Sequence, residues 1–334
     1  MKLQIGKLPN ELLQKMLENY AKVSRNEILS RPMIGEDCAV LDFSDHLCVV
    51  TTDPITGADE EIGALGVYIA CNDLASAGAE PVGLLVTLLA PAGSELEDIE
   101  KVMGQIEGAA KGLKADIIGG HTEVTDAVNR MVLSITALGR ARHGSLASAG
   151  GAKPGDSIIL TNYAGTEGTA ILAYLFEKEL ALELGSDLVE TSKHLLSSVN
   201  VVKEGLLAAR FGVACMHDVT EGGVLGALWE VGNASGYGIE AEKRRIPILE
   251  ETRRICNFLS IDPLKLISSG CMLMTTPNGE KILNILHQQD IKASIIGKVT
   301  FGKEMVLLDE DRRIGITPPK SDELYKARKL KGRI

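Results

Sequence analysis

Aromatic residues are scarce in this chain of 334 residues, since Phe, Trp and Tyr make up only 4% of it. Glycine is abundant instead, with 35 residues, and 45% of the chain is hydrophobic. This composition is typical of a folded protein with many tight turns and close contacts between helices and sheets. It argues against a disordered chain.

Long apolar runs are absent as well. No segment reaches the ~20 apolar residues needed to cross a bilayer. The first residues, Met1-Lys2-Leu3-Gln4, lack the apolar core of a signal peptide. We therefore expect a cytoplasmic protein that has no membrane partner.

Positive charge is in deficit, because 35 Lys and Arg residues face 45 Asp and Glu residues and the net charge is −10. Nonspecific binding to nucleic acid or to an anionic membrane requires clustered Lys and Arg, so the charge argues against both. A small ligand, or one bridged by a cation, fits the charge better.

Paired cysteines are missing too. The six cysteines are scattered without a C-x-x-C pair, and most of them lie inside apolar runs. This pattern predicts reduced, packed thiols and suggests neither a zinc site nor a disulfide framework.

The length allows two domains, each with its own core. A stretch of small residues over 144–152 precedes Lys153-Pro154-Gly155-Asp156, and we place the boundary there. The predicted domains are 1–145 and 153–334. Strands alternate with helices in the second half, which predicts α/β layers. No tandem repeat or low-complexity tract interrupts this pattern.

Three aspartates in the first half are hard to explain by packing. Asp37 begins one predicted strand and Asp53 ends the next, so antiparallel pairing would bring their carboxylates close together. Such a pair usually indicates a bound cation or acid–base chemistry, although surface turns also carry Asp. Asp73 lies in the long apolar helix 62–77. A buried carboxylate there is costly unless it is paired or binds a metal, and the alternative is that Asp73 faces solvent.

Two glycine-rich segments follow predicted strands. Gly119-Gly120 comes after the short strand 115–118, and paired glycines let the backbone approach a phosphate closely. His121, Thr122 and Glu123 would then contact a nucleotide or its metal. The alternative is a plain turn.

The segment His217-Asp218-Val219-Thr220-Glu221-Gly222-Gly223 lies where a strand ends and a helix begins. A helix N-terminus has free N–H groups that suit anions, and its glycines allow close approach of a ligand. The alternative is that Asp218 or Thr220 only caps the helix.

These segments form an ordered set that resembles the aminoimidazole ribonucleotide (AIR) synthase superfamily. The set consists of Gly35-Glu36-Asp37-Cys38-Ala39-Val40, Thr51-Thr52-Asp53, Asn72-Asp73-Leu74-Ala75, Gly119-Gly120-His121-Thr122, Lys153-Pro154-Gly155-Asp156, the segment 217–223 and Ile296-Gly297-Lys298-Val299. The superfamily includes thiamine-monophosphate kinase, selenophosphate synthetase and the hydrogenase maturation factor HypE. The Thr-Thr-Asp turn and the Asn-Asp-Leu-Ala segment make the chain most similar to HypE-like members.

The resemblance implies a two-lobed α/β (α+β) fold and a particular set of site residues. A PurM-like N-terminal domain would form a homodimer through a β-barrel-like interface, and a second α/β domain would follow. ATP would lie where the glycine turns meet this interface, with Mg²⁺ held by aspartates. The implied nucleotide contacts are Asp37, Thr52, Asn72, Gly119, Gly120, His121, Thr122, Glu221 and Gly222. The implied metal ligands are Asp37, Asp53, Asp73 and Asp218, and the implied catalytic residues are Asp53, Asp218 and His217.

The shared chemistry of most such synthases is activation of an amide- or thioamide-type oxygen by ATP. HypE carries it out on a carbamoylated cysteine at its own C-terminus, whereas the last cysteine here is Cys271, so we expect that acceptor to be missing. His121 also stands where an acidic or amide residue is common in the superfamily, although selenophosphate synthetase has His there as well. A neutral imidazole is a poor Mg²⁺ ligand but can hydrogen-bond a phosphate. Two alternatives stay open, a small-molecule kinase like thiamine-monophosphate kinase and a nucleotide-binding maturation partner without turnover.

Overall fold

The computed structural model describes residues 14, 29, 38–42, 44–55 and 60–331, and Asp37 lies outside these residues. The strands and helices of the first half are β1 (Ala39–Asp42), β2 (Leu47–Ile55), α1 (Ile62–Ser76), β3 (Glu80–Pro91), α2 (Leu96–Leu113), β4 (Asp116–Thr125) and β5 (Val132–Ala141). Those that follow up to the middle of the second half are β6 (Ser157–Thr161), α3 (Thr166–Leu175), α4 (Glu177–Leu184), α5 (Ser186–Lys193), α6 (Val202–Arg210), β7 (Cys215–Asp218) and α7 (Gly223–Ser235). The remainder are β8 (Gly238–Glu242), α8 (Glu250–Leu259), β9 (Met272–Thr276), α9 (Gly279–His287), β10 (Ala293–Thr300), β11 (Met305–Asp309), β12 (Arg312–Gly315) and α10 (Glu323–Arg328).

The first half is a five-stranded sheet in the order β1-β2-β5-β3-β4. β1 and β2 pair antiparallel, which is the pairing on which the expected proximity of Asp37 and Asp53 depends, and β3 pairs parallel with β4 through the crossover helix α2. Strand β2 alternates between inward and outward side chains, so one face of the sheet packs on a core. Helix α1 packs against this inner face. Almost the whole helix is buried, and its side chains are accordingly apolar on nearly all sides.

The outer face of the same sheet carries exposed apolar side chains. On β3, Val82 and Leu85 are 47% and 40% exposed, and on β4, Ile118 is 57% exposed. The pairing registers place Thr52, Thr136, Leu85 and Gly119 in one row across four strands. Within the part of the chain that the structure describes, the sheet is open, with β1 and β4 at its edges.

The second half is a seven-stranded mixed sheet in the order β12-β11-β8-β10-β6-β9-β7. β7 is therefore an edge strand, and it pairs antiparallel with β9. It also contacts α1 of the first half. The segment that carries Asp218 thus lies beside the helix that carries Asp73.

The two halves share one continuous hydrophobic core in which α1 packs against α6. A Cβ atom at Gly205 of α6 would lie 2.5 Å from the carbonyl oxygen of Ala75, so only glycine allows the two helices to approach this closely. Among the described residues, no helix is both long and apolar enough to cross a membrane.

Candidate functional site

Asp73 is buried and hydrogen-bonded. Its side chain is 4% exposed, and its Oδ2 accepts a hydrogen bond from the Thr51 hydroxyl at 2.6 Å. The apolar surroundings of α1 fix the helix against β2, and Thr51 occupies an inward-facing position of that strand. The alternative of a solvent-facing Asp73 is therefore wrong.

Asp53 lies two residues beyond Thr51 on the same strand, opposite Ile135 of β5. Residues i and i+2 of a strand share a face and are ~6.7 Å apart, so Asp53 lies on the inner face one step from the Thr51–Asp73 contact. Thr52 points to the outer face instead, where its hydroxyl oxygen accepts a hydrogen bond from the Thr136 hydroxyl at 2.8 Å. The strand thus separates Asp53 from Thr52.

Asn72 joins the two halves of the chain. It is fully buried, its Nδ2 donates to the carbonyl oxygen of Val199 at 2.8 Å, and its Oδ1 accepts from the backbone N–H of Val201 at 2.8 Å. A buried amide with these partners holds the loop before α6 against α1. The predicted contact of Asn72 with a nucleotide stays a prediction.

The paired glycines 119 and 120 lie inside a strand, because β4 continues to Thr125 instead of ending at Ile118. The prediction of a short strand followed by a turn is wrong here. Gly120 has φ +144°, and a Cβ atom would lie 1.9 Å from the carbonyl oxygen of Val86. Glycine is therefore required where β4 approaches β3.

His121 and Thr122 are exposed on β4, and His121 Nε2 lies 3.3 Å from a carboxylate oxygen of Glu123. β4 is three strand spacings from β2, about 14 Å, so the outer-face residues Thr52 and His121 are near opposite edges of one sheet. An extended ligand would be needed to touch both within a single chain.

The predicted strand–turn–helix at 217–223 is confirmed, since β7 ends at Asp218 and α7 begins at Gly223. Gly222 is the N-cap with φ +84°, and no side chain caps the helix, so the capping alternative for Asp218 and Thr220 is wrong. A Cβ atom at Gly223 would lie 2.6 Å from the carbonyl oxygen of Leu264. Both glycines are therefore required by the packing of the turn.

His217 and Asp218 are both buried in β7, at 3% and 2% exposure. His217 Nε2 lies 2.8 Å from a carboxylate oxygen of Glu230 on α7. This contact holds the imidazole between β7 and α7, which the turn connects. The predicted catalytic roles of His217 and Asp218 stay predictions.

A group of carboxyl groups behind this turn was missed by sequence reasoning. Burial raises the pKa of Glu167 to about 7; Ser269 beside the carboxyl opposes the rise, and the neighbouring charges of Glu221 and Asp322 add to it. Burial likewise raises the pKa of Asp322 to about 6, although its carboxyl accepts backbone hydrogen bonds. One of these comes from Gly222 N–H, at 2.7 Å from Asp322 Oδ2. The only signal in the sequence was Glu167 in a glycine-rich helix start, and nothing marked Asp322.

Asp53, Asp73 and Asp218 supply oxygen ligands of the hard type that Mg²⁺ prefers. Within the described residues, no three or more His, Cys, Asp or Glu side chains are grouped closely enough to hold a metal ion. Mg²⁺ is usually bound by one or two carboxylates together with phosphate oxygens and water, so a site completed by a nucleotide does not need such a group. The donor set fits the ion.

Two α/β halves that pack around α1 and place a strand–turn–helix segment beside it define a two-lobed, PurM-like fold. The chain belongs to the family of AIR synthase related proteins. Residues 35–141 match the N-terminal domain of this family and residues 153–310 match its C-terminal domain. The resemblance inferred from the motifs is thereby confirmed.

Three relatives illustrate the range of the family. A putative hydrogenase expression/formation protein of Methanocaldococcus jannaschii is 31% identical over 314 residues, which are 91% of each chain. Carbamoyl dehydratase HypE of Azotobacter vinelandii is 27% identical over 325 residues, 94% of this chain and 89% of that protein. Thiamine-monophosphate kinase of Pyrococcus horikoshii is 26% identical over 291 residues, 84% of this chain and 87% of that protein.

Solved structures share the fold. The crystal structure of a HypE–HypF complex has a TM-score of 0.72 at 25% identity and covers 84% of this chain and 93% of that chain. The structure of HypE in complex with ATP has a TM-score of 0.67 at 22% identity, with 90% and 89% coverage. The chain is therefore similar over most of its length to HypE proteins.

Proposed function

We propose that this protein is an ATP- and Mg²⁺-dependent enzyme of the AIR synthase and HypE type, which activates an amide- or thioamide-type oxygen by phosphoryl transfer. The observation that carries the proposal is the buried Asp73, held by Thr51 and one strand step from Asp53. An apolar helix tolerates such a carboxylate when it serves a site. The structure of a HypE in complex with ATP supports a nucleotide as the ligand.

In this proposal the metal is held by one or two carboxylates from the set Asp37, Asp53, Asp73 and Asp218, and phosphate oxygens of the nucleotide complete the site. The backbone of the glycine segments and the side chains of His121 and Thr122 contact the nucleotide. Phosphoryl transfer depends mainly on positioning and on stabilising the charge of the phosphoryl group, which fixed carboxylates and backbone N–H groups can do. Asp53, Asp218 and His217 would act nearest the reacting atoms.

A role in hydrogenase maturation is supported by the names of the relatives, among them a hydrogenase expression/formation protein and carbamoyl dehydratase HypE. The complex of a HypE with HypF supports a maturation protein as partner. We propose that this chain acts with a partner of that kind.

A homodimer is part of the proposal. The exposed apolar side chains on β3 and β4 form a patch on the outer face of the first sheet, and such patches mark interaction surfaces in soluble proteins. A second copy of the chain would cover this patch with the same patch of its own.

The second candidate is a small-molecule kinase, which the similarity to thiamine-monophosphate kinase favours. Product analysis separates the two: a phosphorylated product identifies the kinase, and free phosphate with a dehydrated or aminated product identifies the synthase. Tight ATP binding without turnover, together with co-purification of a maturation protein, would identify a non-catalytic assembly partner.

The direct test is calorimetry with a non-hydrolysable ATP analogue and Mg²⁺. We expect one binding event per chain that weakens at least ~10-fold, about 1.4 kcal/mol, in Asp53→Asn and in Asp218→Asn, because each loses a negative charge near the metal. Asp311→Asn, an exposed residue between β11 and β12, is the matched control and should bind like the unmodified protein. Absence of binding, or equal binding by all variants, would refute the proposal.

A further inference from the structure

A second site lies on the far side of the 217–223 turn. A cavity of about 550 Å³, here called the α7 pocket, opens between the start of α7, the segment 262–265 and the segment 314–321. Cavities of roughly 300–1,000 Å³ hold ligands the size of a drug molecule. All of the described residues that line it belong to the second half of the chain.

The wall of the α7 pocket is apolar and preformed. Leu225, Ile248 and Leu307 contribute to it together with Pro318 and Pro319. The two prolines lie on a strap that is held at one end by the hydrogen bond from Ile316 N–H to the carbonyl oxygen of Met305, at 2.8 Å. Proline fixes φ and so limits the shapes of the strap between its anchors.

The other end of the strap is held at the turn. Gly222 N–H donates to Asp322 Oδ2 at 2.7 Å, and a Cβ atom at Gly222 would lie 2.7 Å from Cβ of Pro319. The strap therefore packs directly on the turn, and its two anchors fix the shape of the cavity beneath it.

The rim of the α7 pocket is cationic although the chain as a whole is acidic. Four of the lining side chains are Lys or Arg and two are Asp or Glu, against a net charge of −10 for the chain. Lys243 is paired with Asp309 at 3.0 Å, and Lys265 lies 4.0 Å from Asp262. Within the described residues, Arg253 and Lys320 make no ion pair.

We propose that the α7 pocket binds a small organic anion with an apolar body, whose carboxylate, phosphate or sulfonate is held by Arg253 and Lys320. The apolar wall supplies most of the binding free energy, and the two cations select the charge and fix the orientation. Among the described residues that line it, only Gly222 is also an implied nucleotide contact, and neither Arg253 nor Lys320 belongs to the proposed ATP site.

A matched pair of fluorescent probes tests this proposal. Anilinonaphthalene sulfonate has an apolar ring system and a negative charge, and phenylnaphthylamine has the same ring system without the charge. The larger side chain of Leu225→Trp fills the pocket. The probe fluorescence that the unmodified protein shows and this variant lacks therefore comes from probe bound in the pocket. We expect this component to saturate at one probe per chain and to be at least ~10-fold tighter for the sulfonate.

The double variant Arg253→Glu, Lys320→Glu should weaken sulfonate binding at least ~10-fold and leave phenylnaphthylamine unchanged, because only the charged probe uses the cations. Lys178→Glu, Lys281→Glu makes the same change in net charge at exposed positions of other helices and is the control. The proposal is overturned if Leu225→Trp removes no fluorescence, if both probes bind the pocket equally, or if the control loses as much affinity as the test variant. Affinity for the ATP analogue should be unchanged in the test variant, so this outcome is independent of the proposed function.

Discussion

At the scale of single residues, Asp73 shows how a sequence can mark a site. An aspartate inside an otherwise apolar helix is unexpected in the core, and the structure places it at 4% exposure against the Thr51 hydroxyl. Asn72, its neighbour, looks equally unusual in the sequence but binds the backbone of Val199 and Val201. Both polar residues are satisfied by partners far along the chain, and the sequence does not indicate which partner each one takes.

Glu167 makes the stability of the protein depend on pH. Burial raises its pKa from 4.5 to about 7, so the folded state binds a proton more tightly than the unfolded state does. The stabilisation is complete below pH 4.5 and is lost as the pH rises through about 7. Glu167→Gln cannot ionise, so we expect it to remove this loss. The free energy of unfolding of the variant, minus that of the unmodified protein, should be larger at pH 8 than at pH 4.5 by on the order of 2–3 kcal/mol.

Urea unfolding at several pH values between these limits measures the effect. Glu107→Gln, an exposed position of α2, is the control and should follow the unmodified protein at every pH. A constant difference between Glu167→Gln and the unmodified protein across this range would contradict the buried, protonated carboxyl.

At the scale of secondary structure, β4 is the element that sequence reasoning described least well. Paired glycines usually interrupt a strand, so the sequence predicts that the strand ends at Ile118, before Gly119-Gly120. In the structure the strand continues, and the pairing of β4 with β3 shifts by one residue beside Leu85. The two glycines allow this irregular pairing. The pairing depends on β3, a strand more than thirty residues earlier in the chain.

Gly120→Ala should therefore be strongly destabilising, by roughly 3 kcal/mol or more, since the new Cβ atom would meet the Val86 carbonyl oxygen at 1.9 Å. Gly104→Ala in α2 is the matched control, because no atom lies within 4 Å of its new Cβ, and it should stabilise the protein by ~0.5–1 kcal/mol. Thermal unfolding of the two variants compares them directly. If the two variants unfold at the same temperature, β4 does not approach β3 as described.

At the scale of the whole molecule, the open outer face of the first sheet determines the proposed assembly. Leu85 and Ile118 are exposed at 40% and 57% on neighbouring strands of the sheet, and a dimer would remove them from water. Thr52 and Gly119 lie in one row with Leu85 across this outer face. The proposed nucleotide contacts therefore lie near the proposed interface.

We expect the double variant Leu85→Lys, Ile118→Lys to sediment as a monomer in analytical ultracentrifugation while the unmodified protein sediments as a dimer. Two lysines facing two lysines across a symmetric interface repel each other and lose the apolar contact. Leu182→Lys, at a position that is 90% exposed on α4, is the control and should stay dimeric. A monomeric unmodified protein would contradict the proposed homodimer.

The sequence by itself determined the family, the strand–turn–helix at 217–223 and the unusual burial of Asp73, because motif order, hydrophobic periodicity and helix starts are written in neighbouring residues. Only the tertiary structure decided that Asn72 joins the halves, that Gly120 lies inside a strand and that Asp322 holds the Gly222 N–H. Each of these depends on a contact between segments distant in sequence. The packing of whole elements fixes such contacts, and no local pattern records it.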